Sequence, residues 1–353
     1  MKKWASAVPV GLLIAAAVWM VNGLYHPYRG YAGKTIVVIN PGMHAENVAG
    51  QLVRDGVLAH RLPFVFRYWL GRRHHETIKY GEYLFDRPLN VLEVYGKLVR
   101  GEVYLHSIVI PEGSDRFDIA RIFQREIGLD PRAFLAATGK TASIRNLDPA
   151  APTLEGYLFP DTYRFPRGIP VSRVIQTMVG RFRQVWDSRV RPQITEGSPD
   201  THEVITLASL VEKETPSPAE RPLIAGVFAR RLRLRMPLQC DPTVIYALEI
   251  THSFPDALTG PLTGNDLHID SSYNTYMRVG LPPGPICSPG LASILAALHP
   301  APGKALYFVS NDHGGHVFAD TLAEQIRNVA RYRQLKAASA RKTGTINGAH
   351  SVH

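Results

Sequence analysis

Residues 204–220 read VITLASLVEKETPSPAE, and the rest of the chain is arranged around this stretch. Val204, Leu207, Ala208 and Val211 recur at spacings of three and four, which predicts a helix with one buried side. Two starts fit: Ser198 as cap with Pro199 in the first turn, or Asp200 as cap with Glu203 three residues on. Pro216 and Pro218 end it, because proline cannot continue a helix and displaces the residue before it. Two acids close the stretch. Glu214 follows Val211 by three residues and Leu207 by seven, on the flank of the apolar side. Glu212 stacks on Ala208 and Ser209, nearer the polar side, and Lys213 points away. A carboxyl against apolar neighbours loses hydration and its pKa rises, and the helix dipole adds tenths to about 1 kcal/mol in the same sense. Such an acid stays protonated near neutral pH and can donate a proton. The plainer alternative is a solvated acid paired with Lys213 or Arg221, and the helix by itself does not choose.

The 353 residues have room for two or three domains, and 45% are hydrophobic, enough to bury real cores. Lys and Arg number 40 against 30 acids, a net charge of +10. That excess suits nucleic acid, anionic lipid or an acidic polymer without selecting one. The two cysteines, Cys240 and Cys287, have no zinc spacing. Whether they pair stays open. No metal and no cofactor is expected.

Residues 4–24, WASAVPVGLLIAAAVWMVNGL, match the roughly twenty apolar residues of a bilayer span, and Lys2 and Lys3 precede them. The expectation is a retained single-pass anchor, inside a cytoplasmic N-terminus and anchor segment of residues 1–25, with the body exported. A cleaved signal peptide is the alternative. TIVVI (35–39), a turn at Asn40-Pro41-Gly42 and a helix with Val48, Ala49, Leu52 and Val53 on one side form a strand–helix unit. SIVIPEG (107–113), followed by Ile119, Ala120, Phe123 and Ile127, repeats it about 70 residues later. Residues 33–129 therefore read as a small α/β region with an internal repeat, and 130–153 as a link.

The main domain, 154–335, opens with LEGYLFPDTYRFP, whose aromatics suit either a core or a cleft wall. PLIAGVFARRLRLRM (222–236) reads as a packed helix with a charged outer side, and Asp241-Pro242 starts another helix carrying Tyr246. YNTYMRVGLPPGPICSPG (273–290) is too rich in Pro and Gly for regular structure, and a loop of that length builds a site or a lid. Leu291–Leu298 is predicted helical, Ala305–Ser310 and His316–Asp320 a hairpin around 313–315, and 322–335 a helix. The tail from 336 to 353 reads as disordered.

ASLVEKET, LQCDPTVIY, YNTYMRVGLPPGPICSPG and GGHVFADTLAEQ, preceded by EGYLFPDTY, resemble the YceG-like family of endolytic murein transglycosylases, from the apolar N-terminus to about residue 335. The resemblance implies an α+β chain with a single N-terminal transmembrane helix, LysM-like modules and a mixed α/β catalytic domain holding a glycan cleft. It implies Glu214 as the catalytic residue, with Gln239, Asp241, Tyr246, Tyr273, Asn274 and the loop Leu281-Pro282-Pro283-Gly284 around the substrate. Cys240 stands where the family pattern has Thr, which puts a polar contact there in doubt.

The chemistry implied is cleavage of the β-1,4 bond between N-acetylmuramic acid and N-acetylglucosamine inside a strand, leaving 1,6-anhydro ends. The implied setting is the periplasmic side of the inner membrane, on nascent strands, with peptidoglycan synthases as candidate partners and no nucleic acid. Glu155, Asp161 and Asp241 are candidates for a second carboxylate, which would make the enzyme a muramidase-type hydrolase. A non-catalytic, membrane-anchored glycan-binding scaffold is the alternative from another class.

Overall fold

The computed structural model describes residues 7–252, 262–311 and 314–348, with side chains placed at 10–251, 262–311 and 314–336. The chain divides into two units, Met1–Ser107 with Arg164–Ile169, and Ile108–Tyr163 with Pro170–His353.

The first unit runs α1 (Ala7–Tyr25), β1 (Thr35–Ile39), α2 (Ala45–Arg54), α3 (Arg61–Arg72), β2 (Gly81–Phe85) and α4 (Val91–Arg100). β1 and β2 are antiparallel, with Thr35 opposite Phe85 and Ile39 opposite Gly81. Strand alternation turns Val37 and Ile39 inward and Ile36 and Val38 out. The inward pair meets Val48 and Leu52 of α2, Phe64 of α3 and Val94 and Leu98 of α4 in one core. Asn90 and Glu93 form a capping box at the start of α4, and Gly101 ends it in the left-handed conformation.

The expected membrane-spanning anchor is corrected here. Among the described residues no helix is long and apolar enough to cross a membrane. The 19 described residues of α1 do not meet that requirement. Its last turns are also engaged within the unit. The Trp19 ring lies 5.2 Å from that of His60, and a Cβ at Gly23 would come within 2.7 Å of Pro63 Cγ. Residues 1–6, with Lys2, Lys3 and Trp4, lie outside the described residues.

The second unit contains α5 (Arg116–Ile127), α6 (Pro131–Thr138), α7 (Val171–Val185), α8 (Thr201–Glu214), α9 (Arg221–Arg233), α10 (Asp241–His252), α11 (Leu291–Leu298), the strands β5 (Tyr307–Ser310) and β6 (His316–Ala319), and α12 (Leu322–Gly348). β3 (His106–Val109) pairs with β4 (Thr162–Phe165), and the chain crosses between units within these two strands. The second strand–helix copy thus falls mostly in the second unit. Its apolar side is committed there, Phe123 packing on Phe134 of α6 at 5.6 Å and Phe117 on Tyr246 of α10 at 6.2 Å. Residues 130–153, read as a link, hold α6 and a 3₁₀ turn, with Phe134 and Ile144 fully buried. β5 and β6 form the expected hairpin, Ser310 opposite His316; residues 312–313 of its turn lie outside the described residues. α12 continues to Gly348, through most of the stretch read as a tail, and residues 349–353 lie outside the described residues.

At the centre is α8. Asp200 caps it with Glu203 in a capping box, deciding between the two possible starts. Every residue from Val204 to Val211 is buried, so the helix is enclosed and not one-sided. Of its buried hydroxyls, Ser209 Oγ donates to the Thr206 carbonyl at 2.7 Å and accepts the Ile286 N–H at 3.0 Å, while Thr206 Oγ1 has no partner. That second bond belongs to the Pro/Gly loop, where Pro282 and residues 284–290 are buried against the helix and the segment near Gly113. The loop is a packed wall of the unit.

Candidate active site

α8 stops at Glu214 because Thr215 turns extended and Pro216 follows. The two terminal acids then part company. Glu212 accepts from Arg221 Nη2 at 2.8 Å and from the Gly290 N–H at 2.8 Å, with both charged side chains almost fully buried. The expectation that Glu212 lies toward the polar side is corrected: α11 and the loop before it cover that side. Glu214 is half-buried and lines an open cleft of about 350 Å³. Burial of its carboxyl pushes the pKa up, the nearby Asp241 charge adds to this, and a hydrogen bond from the Cys240 thiol opposes it.

Five further segments complete the cleft. The α9–α10 connection supplies Leu238, Gln239 and Asp241, α9 supplies Arg231, and the Pro/Gly segment supplies Tyr276. Tyr307 and Phe308 of β5 and Leu322 and Gln325 of α12 form the remaining wall. Gln239 takes a positive φ of 50° and donates its N–H to Thr275 O at 3.1 Å, a local strain held by its surroundings. Asp241 accepts the hydroxyl of Tyr276. Arg231, expected on a charged outer side, is buried instead. Its guanidinium binds the carbonyls of Leu306 at 2.7 Å and Leu238 at 2.8 Å, tying two cleft-lining segments together.

Behind Glu214 sits a small network of hydroxyls. Thr243 Oγ1 donates to Cys240 O at 2.7 Å and lies 2.9 Å from Thr275 Oγ1, which accepts the Cys240 N–H at 3.0 Å. Cys240 and Cys287 are both free and buried, and the Cys240 thiol faces the Glu214 carboxyl. Among the described residues no cluster of His, Cys, Asp and Glu is arranged to hold a metal ion.

Of the expected substrate contacts, Gln239 and Asp241 line the cleft with Glu214. Tyr246 is buried and donates to Glu155 Oε2 at 3.0 Å, and Tyr273 packs on it at 5.1 Å. Asn274 is fully buried, its amide bonded to the carbonyls of Leu267 and Ile269. Leu281, Pro282, Pro283 and Gly284 are not among the residues lining this cleft, and Gly284 packs toward Pro152 and Tyr273. Of the candidate second carboxylates, Glu155 is buried beneath Tyr246 and Asp161 is paired with Arg181 at 2.6 Å. Only Asp241 of the three lines the cleft with Glu214.

Residues 37–331 match the YceG-like family. The chain belongs to that family. This YceG-like chain is 29% identical over 338 residues to the endolytic murein transglycosylase of Bacillus subtilis strain 168, covering 91% of each protein. It is 30% identical over 335 residues to the endolytic murein transglycosylase of Streptococcus pneumoniae D39, covering 84% of this chain and 58% of that one. The crystal structure of a putative YceG-like protein from Listeria monocytogenes superposes with a TM-score of 0.57 at 30% identity, covering 83% of this chain and 98% of that chain. The YceG-like cleft also contains residues that sequence reasoning missed. Arg231 was hidden in a basic run, and Phe308, Leu322 and Gln325 belong to the hairpin and helix that close the unit.

Proposed function

We propose that this protein is an endolytic murein transglycosylase, a lyase that cuts glycan strands of peptidoglycan between N-acetylmuramic acid and N-acetylglucosamine. The observation that carries the reading is the position of Glu214. It is the terminal acid of an enclosed helix, with a desolvated carboxyl opening into a cleft. The family relationship supports the substrate class.

Glu214 in its acid form donates its proton to the bridging oxygen as the bond to C1 breaks through an oxocarbenium-like state. The resulting carboxylate takes the proton of the muramic acid C6 hydroxyl, and O6 closes on C1. Both protons pass through one carboxyl and no water is consumed, so a second catalytic carboxylate is unnecessary. The raised pKa suits the first step, and the thiol of Cys240 limits how far it rises. General acid–base catalysis of this kind contributes about 10²- to 10⁴-fold. Gln239 and Asp241 are placed to hold the sugars.

The substrate sets the expected location of the catalytic unit outside the cytoplasm, where glycan strands lie. The order β1–α2–α3–β2, with two antiparallel strands enclosing two helices, supports reading the first unit as a LysM-like glycan-binding module.

Asp241 favours one competing reading, a muramidase in which it activates water opposite Glu214. Mass analysis of fragments cut from purified glycan strands separates the two. Anhydro ends are expected, and reducing ends would overturn the transglycosylase reading. Glu214→Gln is expected to lose cleavage at least about 100-fold while keeping its fold, and full activity in that variant would remove Glu214 from the mechanism.

A further inference from the structure

The wall of the cleft made by β5 and α12 does not end at the cleft. Gln325 Nε2 donates to Phe308 O at 2.9 Å, fastening helix to strand at the cleft's edge. Beyond that staple the hairpin and α12 line a second cavity of about 240 Å³, bordered by Val317, Asn328, Arg331, Tyr332 and Leu335. Leu322, Gln325, Asn328, Tyr332 and Leu335 fall at spacings of three and four, one stripe of α12. From Gln325 to Tyr332 the helix rises about 10 Å at ~1.5 Å per residue, which sets how far along α12 the second cavity lies from the cleft's edge.

The chemistry of this stripe is unusual for a helix seated on a hairpin. Such a face is expected to be apolar where it meets its partner. Here Asn328, half-buried, and Arg331, exposed, border the gap with the half-buried ring of Tyr332, which has Lys336 Nζ 5.7 Å from its centroid and leaves its other face to the cavity. A flat ring, a carboxamide and a guanidinium over apolar walls match a ligand with one apolar face, an edge of hydroxyl and amide groups, and a carboxylate.

We propose that this cavity is a second saccharide subsite on the strand cut at Glu214. It takes an N-acetylated amino sugar, with Tyr332 under the ring face, Asn328 on the acetamido or hydroxyl edge and Arg331 on the carboxylate of the sugar's acidic side arm. The assignment rests on the glycan-cleaving reading and adds what makes cutting inside a strand favourable: a hold on the strand away from the scissile bond.

The test is kcat/KM of the full chain on peptide-free glycan oligomers of increasing, defined length. The wild-type protein is expected to gain with length once the oligomer reaches the second cavity. Tyr332→Ala and Arg331→Ala are each expected to lose that gain, roughly five- to tenfold, while matching wild type on the shortest oligomer cut. Tyr332→Phe, which keeps the ring, is expected to retain it. A length gain undiminished in both alanine variants overturns the subsite, as does an equal loss at every length, which marks a structural role. A wild-type protein that cuts no oligomer overturns the glycan-cleaving reading, and the subsite with it.

Discussion

Arg221 donates to Glu212 at 2.8 Å, and Glu214, two residues further along, faces the cleft. Arg221 therefore neutralises the acid that does not line the cleft, while Lys213 of the last turn donates to Gly113 O at 3.1 Å. Removing one partner of a buried pair costs about 3–5 kcal/mol where the other charge is left alone, and here Arg221 keeps Glu112 at 3.5 Å, which offsets part of that loss. Glu212→Ala is therefore expected to be destabilised by less than that, about 1–3 kcal/mol, while its folded fraction keeps the per-molecule cleavage rate. Urea unfolding checks the first part and active-site-normalised kinetics the second. Unchanged stability would mean the pair is solvated in solution.

The bond from Cys240 to Glu214 has a kinetic signature. A thiol donating to a carboxylate favours the ionised form and so holds the Glu214 pKa below where burial alone would put it. The acid form is needed for the first step, so kcat should fall as pH rises through the Glu214 pKa. Cys240→Ala is expected to move that basic limb to higher pH, because one hydrogen bond to the ionised form is lost. Cys240→Ser keeps a donor and is expected to leave the limb near its wild-type position. Superimposable profiles for all three proteins would show that the thiol does not reach the carboxyl.

Burial raises the Glu155 pKa to about 8, with the Asp115 charge adding to the effect. Its Oε2 accepts from Arg116 N–H and the Tyr246 hydroxyl, and its Oε1 has no partner. The sign of the pH effect follows. The native state binds a proton that the unfolded state, with an ordinary value near 4.5, has already released. Stability is therefore fully present below the ordinary value and declines as pH rises toward about 8. Glu249, facing Asp115, is also raised to about 8 and titrates in the same window. Glu155→Gln is accordingly expected to make the decline shallower without abolishing it. Thermal midpoints measured between pH 5 and pH 9 decide this, and parallel curves would show that Glu155 is not protonated in the folded protein.

Local chemistry was legible wherever neighbours in sequence decide the outcome. One of the two starts offered for α8 and the β5–β6 hairpin followed from period, cap and turn residues. What tertiary partners decide was not. Glu212 looked peripheral because nothing in its neighbourhood announces that Gly290 and Arg221 close over it. Arg231 looked solvated because a run of arginines carries no mark of the one whose guanidinium meets distant carbonyls. Tyr246, Tyr273 and Asn274 share motifs with cleft residues yet fill the layer behind them. The N-terminal apolar run has the composition of a span, while its last turns pack against His60 and Pro63.

The packing of α9 offers a last prediction, at a residue with no chemistry of its own. Gly226 sits mid-helix, where glycine costs about 1 kcal/mol relative to alanine. On propensity alone, Gly226→Ala should therefore stabilise. The structure reverses the sign. A Cβ at Gly226 would lie 2.4 Å from the carbonyl oxygen of Ala301, a backbone atom whose own N–H is tied to Pro222 O at 2.9 Å. That segment cannot swing aside as a flexible side chain would, so helix and segment must separate. Forced overpacking costs typically 1–3 kcal/mol, which outweighs the gain in helix propensity. Gly226→Ala is thus expected to be net destabilised by up to about 2 kcal/mol. Because Arg230, which anchors to Ala305 O at 2.8 Å, and Arg231 follow on the same helix, it should also lower cleavage through a misplaced cleft wall. Denaturant unfolding of the variant reads the sign directly, and a gain in stability would mean that α9 and the Ala301 segment are further apart than described.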